Sequence, residues 1–363
     1  MSSKPKIAID ARMVNKSGIG TCIQHWLKDV GYDIALGNPE ELKAYQDAVP
    51  ALIPFISSIY GYKEQLKFPY GKLKKKHPDI LHVPHCNVPL FYRGKMIATV
   101  HDLTHLVYPQ FLPMKLVHWY FKFIFWFVCK RANRIVVVSE STKRDLLRFY
   151  KVNPEKIHVV TLGVGKEFVK KSRSEFEYLY EKFEIPKDKK IILYVGNLLP
   201  HKNLNGLLRG FAQMTGREDC RIVMVGKAFD GRTTQTIESE LGIDHLLIRA
   251  GMVSQEDLVN FYNLADLFVL PSLYEGFGLP IVEAFACGTP VACSNTSSMP
   301  EVGGKLATYF DPKNPESIAR ALEQSIGLKG KQNSEIAAWV RRFSWEECSR
   351  QIRKIAEELC VEK

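Results

Sequence analysis

Along almost the whole chain, a short apolar run rich in β-branched residues gives way to a turn and then to ten or more residues of helical period. A strand followed by a helix must cross over before the next strand, and successive crossovers build a parallel sheet covered by helices. The first series of strands comprises Lys6-Ile-Ala-Ile-Asp10, Asp79-Ile-Leu-His-Val83, Met96-Ile-Ala-Thr-Val100 and Arg134-Ile-Val-Val-Val138, the last leading into a helix capped by Ser139 or Ser141. A second series comprises Lys190-Ile-Ile-Leu-Tyr-Val-Gly196, Arg221-Ile-Val-Met-Val-Gly226, His245-Leu-Leu-Ile-Arg249, Leu267-Phe-Val-Leu270 and Pro290-Val-Ala-Cys293.

A length of 363 residues exceeds what one hydrophobic core usually supports. The polar stretch from Phe168 to Lys190 separates the two series, so the expected division is 1–168, 169–343 and a closing helix at 344–363. In that helix Trp345, Cys348, Ile352, Ile355 and Leu359 fall on one stripe, which should pack back toward the first domain. The fold class read from this pattern is α/β: two Rossmann-like domains whose parallel sheets face across a central cleft, with ligands at the carboxyl ends of the strands.

Hydrophobic residues at 46% and charged ones at 25% exclude a disordered or fibrous chain. Eight cysteines occur without a C-x-x-C pair, which speaks against a disulfide scaffold or a thiolate zinc site and for a reducing, cytoplasmic location. The opening Met1-Ser-Ser-Lys-Pro-Lys6 runs straight into a strand and lacks the apolar core of a secretory signal. A formal charge of +11 suits an anionic partner, but with no zinc finger, RNP-like motif or long basic tract that partner is not expected to be nucleic acid.

The segment Leu270-Pro-Ser-Leu-Tyr-Glu-Gly-Phe-Gly-Leu-Pro-Ile-Val-Glu-Ala-Phe-Ala-Cys-Gly-Thr-Pro290 carries the chemistry. A strand ends at Leu270, a glycine-bearing loop follows, Pro280 suits a first helical position, and Gly288 suits a left-handed residue just past the helix end. The helix between them is short, about two turns. Its free N–H groups and positive dipole end would face Gly276-Phe-Gly-Leu279, where missing β-carbons let an anion approach the backbone. That outlines a diphosphate site, flanked by Glu275 and Glu283 as two acceptor-only carboxylates suited to sugar and ribose hydroxyls.

At these residues the sequence resembles glycosyltransferase family 4, the retaining GT-B transferases, with the Glu-x7-Glu signature at Glu275 and Glu283. The resemblance extends through Ser17-Gly-Ile-Gly20, His101-Asp102, the 132–146 segment, Val195-Gly-Asn-Leu-Leu-Pro-His-Lys-Asn-Leu204, Gly251-Met-Val-Ser254 and Phe343-Ser-Trp345. It implies that Glu275 hydrogen-bonds the donor sugar, that Glu283 holds the ribose, and that backbone amides around Phe277, Gly278 and Leu279 touch the diphosphate and sugar. Lys202 would neutralise the leaving diphosphate. The family often places arginine at the position of Asn197 or His201, and its absence at both leaves Lys202 as the clear cation there.

Gly18 and Gly20 would let the other domain close on the same group, while Asn197 and Val253 complete the expected donor set. His101 would orient the donor hexose, with Asp102 as its partner or as an acceptor-side base. The resemblance also implies retention of configuration by front-face attack, in which the departing phosphate accepts the acceptor's proton. No Asp-x-Asp pair occurs, so the expected catalysis needs no metal and no cofactor. His82-Val-Pro-His85 and His101-Asp-Leu-Thr-His105 follow strand-like runs, where such spacings do not converge on a metal as they would on a helix.

The expected reaction is transfer of a hexosyl group from a GDP- or UDP-linked donor to a glycan or lipid-linked acceptor in surface polysaccharide assembly. A mannosyl donor is suggested by the resemblance around Val83-Pro-His-Cys-Asn87 and His101-Asp102. Two alternatives stay open: a catalytically silent sugar-nucleotide-binding subunit, and a sugar-nucleotide epimerase or hydrolase of the same fold. The aromatic run 116–128, flanked by Lys115, Lys130 and Arg131, reads either as a buried helix or as peripheral contact (115–131) with the inner face of a membrane.

Overall fold

The computed structural model describes residues 4–60, 62–227, 235–331 and 333–362. Of the amino-terminal reading, Met1 to Ser3 lie outside the described residues. The chain forms two compact units, one running to Gly163 and resuming at Ser344, the other spanning Val164–Phe343. This boundary falls ahead of the expected one at 168, because Phe168 already belongs to the second core: its ring meets that of Tyr262 edge-on at 5.8 Å.

The first unit holds a seven-stranded sheet of β1 (Ile7–Asp10), β2 (Ile34–Gly37), β3 (Ala51–Pro54), β4 (Ile80–Val83), β5 (Lys95–Val100), β6 (Arg134–Val137) and β7 (Ile157–Val159). Every pairing is parallel, in the order β3-β2-β1-β4-β5-β6-β7. Strands β1 and β4 are buried at every position, as expected of a sheet covered on both faces. The chain winds outward from β1 in one direction and from β4 in the other, so the order reverses between these two strands. Such a reversal leaves a crevice beyond the strands' carboxyl ends.

The helix Trp345–Val361 belongs to this unit. Trp345, Cys348, Ile352, Ile355 and Leu359 are all buried. The Trp345 ring stacks on His25 at 4.4 Å, Trp26 Nε1 donates to Cys348 Sγ, and Lys95 Nζ donates to the Leu359 carbonyl at 2.8 Å. Gly163 makes the closest approach: a β-carbon there would collide with the Trp345 backbone nitrogen, so no larger residue fits without moving the helix.

The second unit holds six parallel strands: β8 (Lys190–Val195), β9 (Cys220–Val225), β10 (Leu247–Gly251), β11 (Leu267–Leu270), β12 (Val291–Ser294) and β13 (Thr308–Phe310), in the order β10-β9-β8-β11-β12-β13. Its core gathers Ile192, Leu208, Phe211, Ile222, Val269 and Leu322 from strands and helices alike. Strand β10 begins two residues later than the sequence suggests, because Asp244–Leu246 closes a 3-10 turn that buries Leu246 first. The order reverses between β8 and β11, which makes the loops after those two strands the expected walls of a ligand site.

Candidate functional site

Lys202 and Glu275 come from the loops that follow β8 and β11, the two strands at the reversal. Lys202 ends a 3-10 turn, Pro200–Lys202, and its Nζ lies 2.7 Å from Glu275 Oε1. Ser272 Oγ donates to the same oxygen at 2.6 Å, and the Glu275 N–H donates to Ser297 Oγ at 3.0 Å. Ser298 Oγ shares its proton between the carbonyls of Glu275 and Phe277, at 2.9 and 2.8 Å. The loop is also tied to its neighbour by the Leu273 N–H on the His201 carbonyl at 2.7 Å. A cation and a carboxylate are thus fixed side by side by hydroxyl and backbone contacts.

Asn203 stands at the start of the helix Leu204–Gln213 but makes no side-chain cap. It adopts a left-handed conformation, and its Nδ2 donates to the carbonyls of Pro271 and Pro312 at 3.0 and 2.8 Å, stitching three loops together.

Beyond Glu275 the chain passes buried Gly276 and Phe277 and reaches Gly278 at φ 101°, a conformation that residues with a β-carbon rarely adopt. The helix Leu279–Ala286 starts there, with Pro280 in its first turn. The first N–H groups of any helix lack intrahelical acceptors, and Pro280 has none to offer, so the positive end of the dipole lies at Gly278 and Leu279. Gly288, at φ 77°, follows the helix end as expected.

Glu283 lies one turn further along this helix, and its Oε2 accepts from the Tyr262 hydroxyl at 2.8 Å. Burial raises its carboxyl from 4.5 to about 7, opposed by the Tyr262 hydrogen bond and assisted by the nearby charge of Glu167. Burial thus favours the protonated form of Glu283 over that of a free carboxylate, and a protonated carboxyl can donate as well as accept.

Of the remaining expected donor residues, Asn197 is exposed after β8, and its Oδ1 accepts from the Lys227 N–H at 3.2 Å. Val253 is half-buried in the loop after β10, where Ser254 caps the helix Gln255–Leu264.

In the first unit, Gly18 and Gly20 sit inside the first turn of the helix Ser17–Asp29. A β-carbon on Gly20 would lie 2.7 Å from the Val14 carbonyl oxygen, so the glycine lets the chain after β1 fold down onto the helix. His101 Nε2 donates to the Pro84 carbonyl at 3.0 Å, and burial lowers the ring to about 4. The imidazole is therefore neutral, with Nδ1 as an acceptor. Asp102 accepts from the Thr104 N–H at 2.9 Å, opening the short helix Thr104–Val107.

Sequence reasoning missed a buried polar cluster beside the reversal point of the first sheet. The Arg12 guanidinium bridges Asp10 and Glu64, each at 2.6 Å, and His85 Nε2 lies 3.3 Å from Asp10. Burial alone would raise the Asp10 carboxyl, but the charge and hydrogen bonds of Arg12, with those of His85, hold it well below the usual range. For Glu64 burial wins and raises it. Asn87 links Glu64 to the Tyr120 hydroxyl. His82, beneath this cluster, is occupied by Tyr32 and Thr99 at 2.5 and 2.9 Å.

Two parallel α/β sheets with a cation–carboxylate pair at the second reversal point are what a glycosyltransferase of the GT-B class requires, and comparison with known proteins shows that class. Residues 176–341 match the family model for glycosyl transferases group 1, and residues 33–168 match that for glycosyltransferase family 4. The O-antigen chain mannosyltransferase B of Escherichia coli is 31% identical over 265 residues, covering 71% of this chain and 68% of that protein. The O-antigen chain mannosyltransferase RfbU of Salmonella typhimurium is 28% identical over 292 residues, covering 79% and 76%. A crystal structure of a glycosyltransferase from Rickettsia africae aligns at a TM-score of 0.78 with 21% identity, covering 99% of this chain and 100% of that one. Anabaena HepE in complex with UDP and glucose aligns at 0.78 with 17% identity, covering 98% and 100%. The chain belongs to glycosyltransferase family 4 and has the GT-B fold.

Proposed function

We propose that this glycosyltransferase moves a hexosyl group, preferentially mannose, from a nucleotide diphosphate to a glycan or lipid-linked acceptor of a surface polysaccharide, with retention of configuration. The observation that carries the reading is the Lys202–Glu275 pair held at the tip of the glycine-led helix Leu279–Ala286. Glu275 accepts hydrogen bonds from donor hydroxyls, Glu283 takes the ribose, and Lys202 with the amides near Gly278 faces the diphosphate. The mannose preference is supported by the two O-antigen mannosyltransferases among the relatives.

In the reaction the bond from the anomeric carbon to the phosphate oxygen breaks while the acceptor oxygen bonds to that carbon on the same face. The acceptor's proton passes to the departing phosphate, and the products are a glycoside and a nucleoside diphosphate. Negative charge grows on the leaving group, where a preorganised cation and helix dipole act most strongly. Lys202 therefore stands in for the divalent ion that an Asp-x-Asp clamp would hold, and the transferase works without a metal. His101 supplies Nδ1 as an acceptor for a hexose hydroxyl, with Asp102 beside it. Gly18, in the first turn of the helix Ser17–Asp29, is the glycine of this pair left to face the donor's phosphates, since the Val14 and Met13 carbonyls take up the space at Gly20.

Peripheral membrane contact belongs to the same reading. The helix Lys115–Arg131 buries Phe121, Ile124, Phe125 and Val128 but exposes Leu116, Trp119, Phe123 and Trp126 at helical spacing, so it serves as a core helix on one face and an apolar ridge on the other. Lys115, Lys122 and Lys130 are also exposed, which suits an anionic lipid surface. Among the described residues no helix is long and apolar enough to cross a membrane.

The test is a panel of GDP- and UDP-linked mannose, glucose and galactose, scored for free nucleotide and for glycoside, with EDTA in a parallel series. Glu275→Ala should slow release roughly tenfold to two-hundredfold, as expected for loss of a charged hydrogen bond of about 1.5 to 3 kcal/mol. Unchanged kinetics in that variant, or loss of activity in EDTA, contradicts the assignment. Nucleotide release without glycoside, or binding without release, would indicate the epimerase or hydrolase and the silent subunit respectively.

A further inference from the structure

A cavity of about 420 Å³ opens on the first unit at the amino ends of β4 and β5, on the edge of the sheet opposite His85 and His101. A strand of four residues spans roughly 13 Å, so the cavity is separate from the polar cluster at the carboxyl ends. Its walls include the rings of Tyr70, Phe91 and Tyr92, its cations are Lys74 and Arg93, and His77 lies beside them; among the described residues no carboxylate lines it.

The rings are held in place. Tyr70 and Phe91 meet at 68° with centroids 6.2 Å apart, forming a corner, and the Tyr70 hydroxyl accepts the Phe91 N–H at 3.3 Å. The Tyr92 carbonyl accepts from Arg131 at 2.7 Å. A β-carbon on Gly94 would lie 2.6 Å from the Tyr92 ring carbon that bears the hydroxyl, so the glycine lets that ring lie against the backbone. Phe91 nevertheless remains 59% exposed.

The local charge is one-sided. Residues 63–95 contain eight lysines and arginines (63, 67, 72, 74, 75, 76, 93 and 95) against two acids, Glu64 and Asp79, an excess of 8 − 2 = 6 within a total of +11. The two acids offset this only in part: Glu64 is buried against Arg12, while Asp79 accepts the Lys6 N–H at 2.7 Å and its charge is felt at the Tyr92 ring.

Fixed aromatic faces carry negative quadrupole charge and attract the polarised C–H groups of a pyranose ring, while the surrounding cations select for an acid. The volume is that of a small-ligand site, and the concave shape suits one or two sugar rings better than a membrane surface. We infer that this cavity is a second glycan-binding site, for a uronate-bearing oligosaccharide, remote from the transfer site. It would hold an acidic chain on the enzyme between transfer events.

Binding measured in the absence of any donor separates this inference from the transfer reading. Titration calorimetry of the intact protein with a hyaluronan tetrasaccharide, neutral maltotetraose and a four-residue oligothymidylate gives the comparison. The acidic tetrasaccharide should bind at least tenfold more tightly than either of the others, and Phe91→Ala and Arg93→Glu should each weaken it about tenfold without lowering the thermal midpoint. Lys305→Glu, the same charge change at an exposed site on the second unit, should leave it within twofold. Equal affinity for maltotetraose, tighter binding of the oligothymidylate, or an equal loss in Lys305→Glu overturns the inference.

Discussion

Replacing Glu283 by glutamine isolates the energetic consequence of burying a carboxyl beside a tyrosine hydroxyl. Glutamine keeps an oxygen for Tyr262 but has no proton to lose. In the folded protein burial raises the Glu283 carboxyl to about 7, against 4.5 when unperturbed. Below pH 4.5 both states hold the proton and burial costs nothing. As pH rises the unfolded chain ionises first, so stability falls through the interval up to about 7 and levels off above it. The full difference corresponds to a few kcal/mol, and partial solvent access to the carboxyl reduces this to about 1–3 kcal/mol. For a unit of this size the cost amounts to several degrees of melting temperature. The assay is a thermal melt of wild type and Glu283→Gln from pH 5 to 9. The variant should gain steadily on the wild type up to about pH 8 and then hold its advantage. A difference between the two that stays constant over that range would refute the assigned protonation of Glu283.

Gly163→Ala should cost at least 1–3 kcal/mol, because its β-carbon meets the Trp345 backbone and no rotamer change relieves that contact. Gly216→Ala, at φ 73° with open space around it, should cost only about 1 kcal/mol of backbone strain, and denaturant melts compare the two directly. Trp119 and Trp126 are 64% and 46% exposed, so burying each in a lipid interface would contribute about 2 kcal/mol. Replacing both by glutamate should cut flotation with phosphatidylglycerol vesicles by tenfold or more, and wild-type protein that stays entirely in solution would dismiss membrane contact.

The parts of the fold that were legible from sequence are those encoded within one stretch of chain. The segment from Leu270 to Gly288 writes its strand, its glycine turn and both helix ends in consecutive residues, and the structure places them there. Strands β3, β7 and β13 escaped notice because they lie at sheet edges where burial is incomplete, and β2, Ile-Ala-Leu-Gly, because it carries a single β-branched residue. The chemistry of the site is a different matter, since it depends on partners far apart in the chain. Lys202 lies 73 residues from Glu275, and Arg12 lies 52 from Glu64. Tyr262 precedes Glu283 by 21 residues on a separate helix, and that hydroxyl, with the burial around it, determines whether Glu283 carries a charge. The identity of a side chain is local information, whereas its protonation state is set by whatever the fold packs against it.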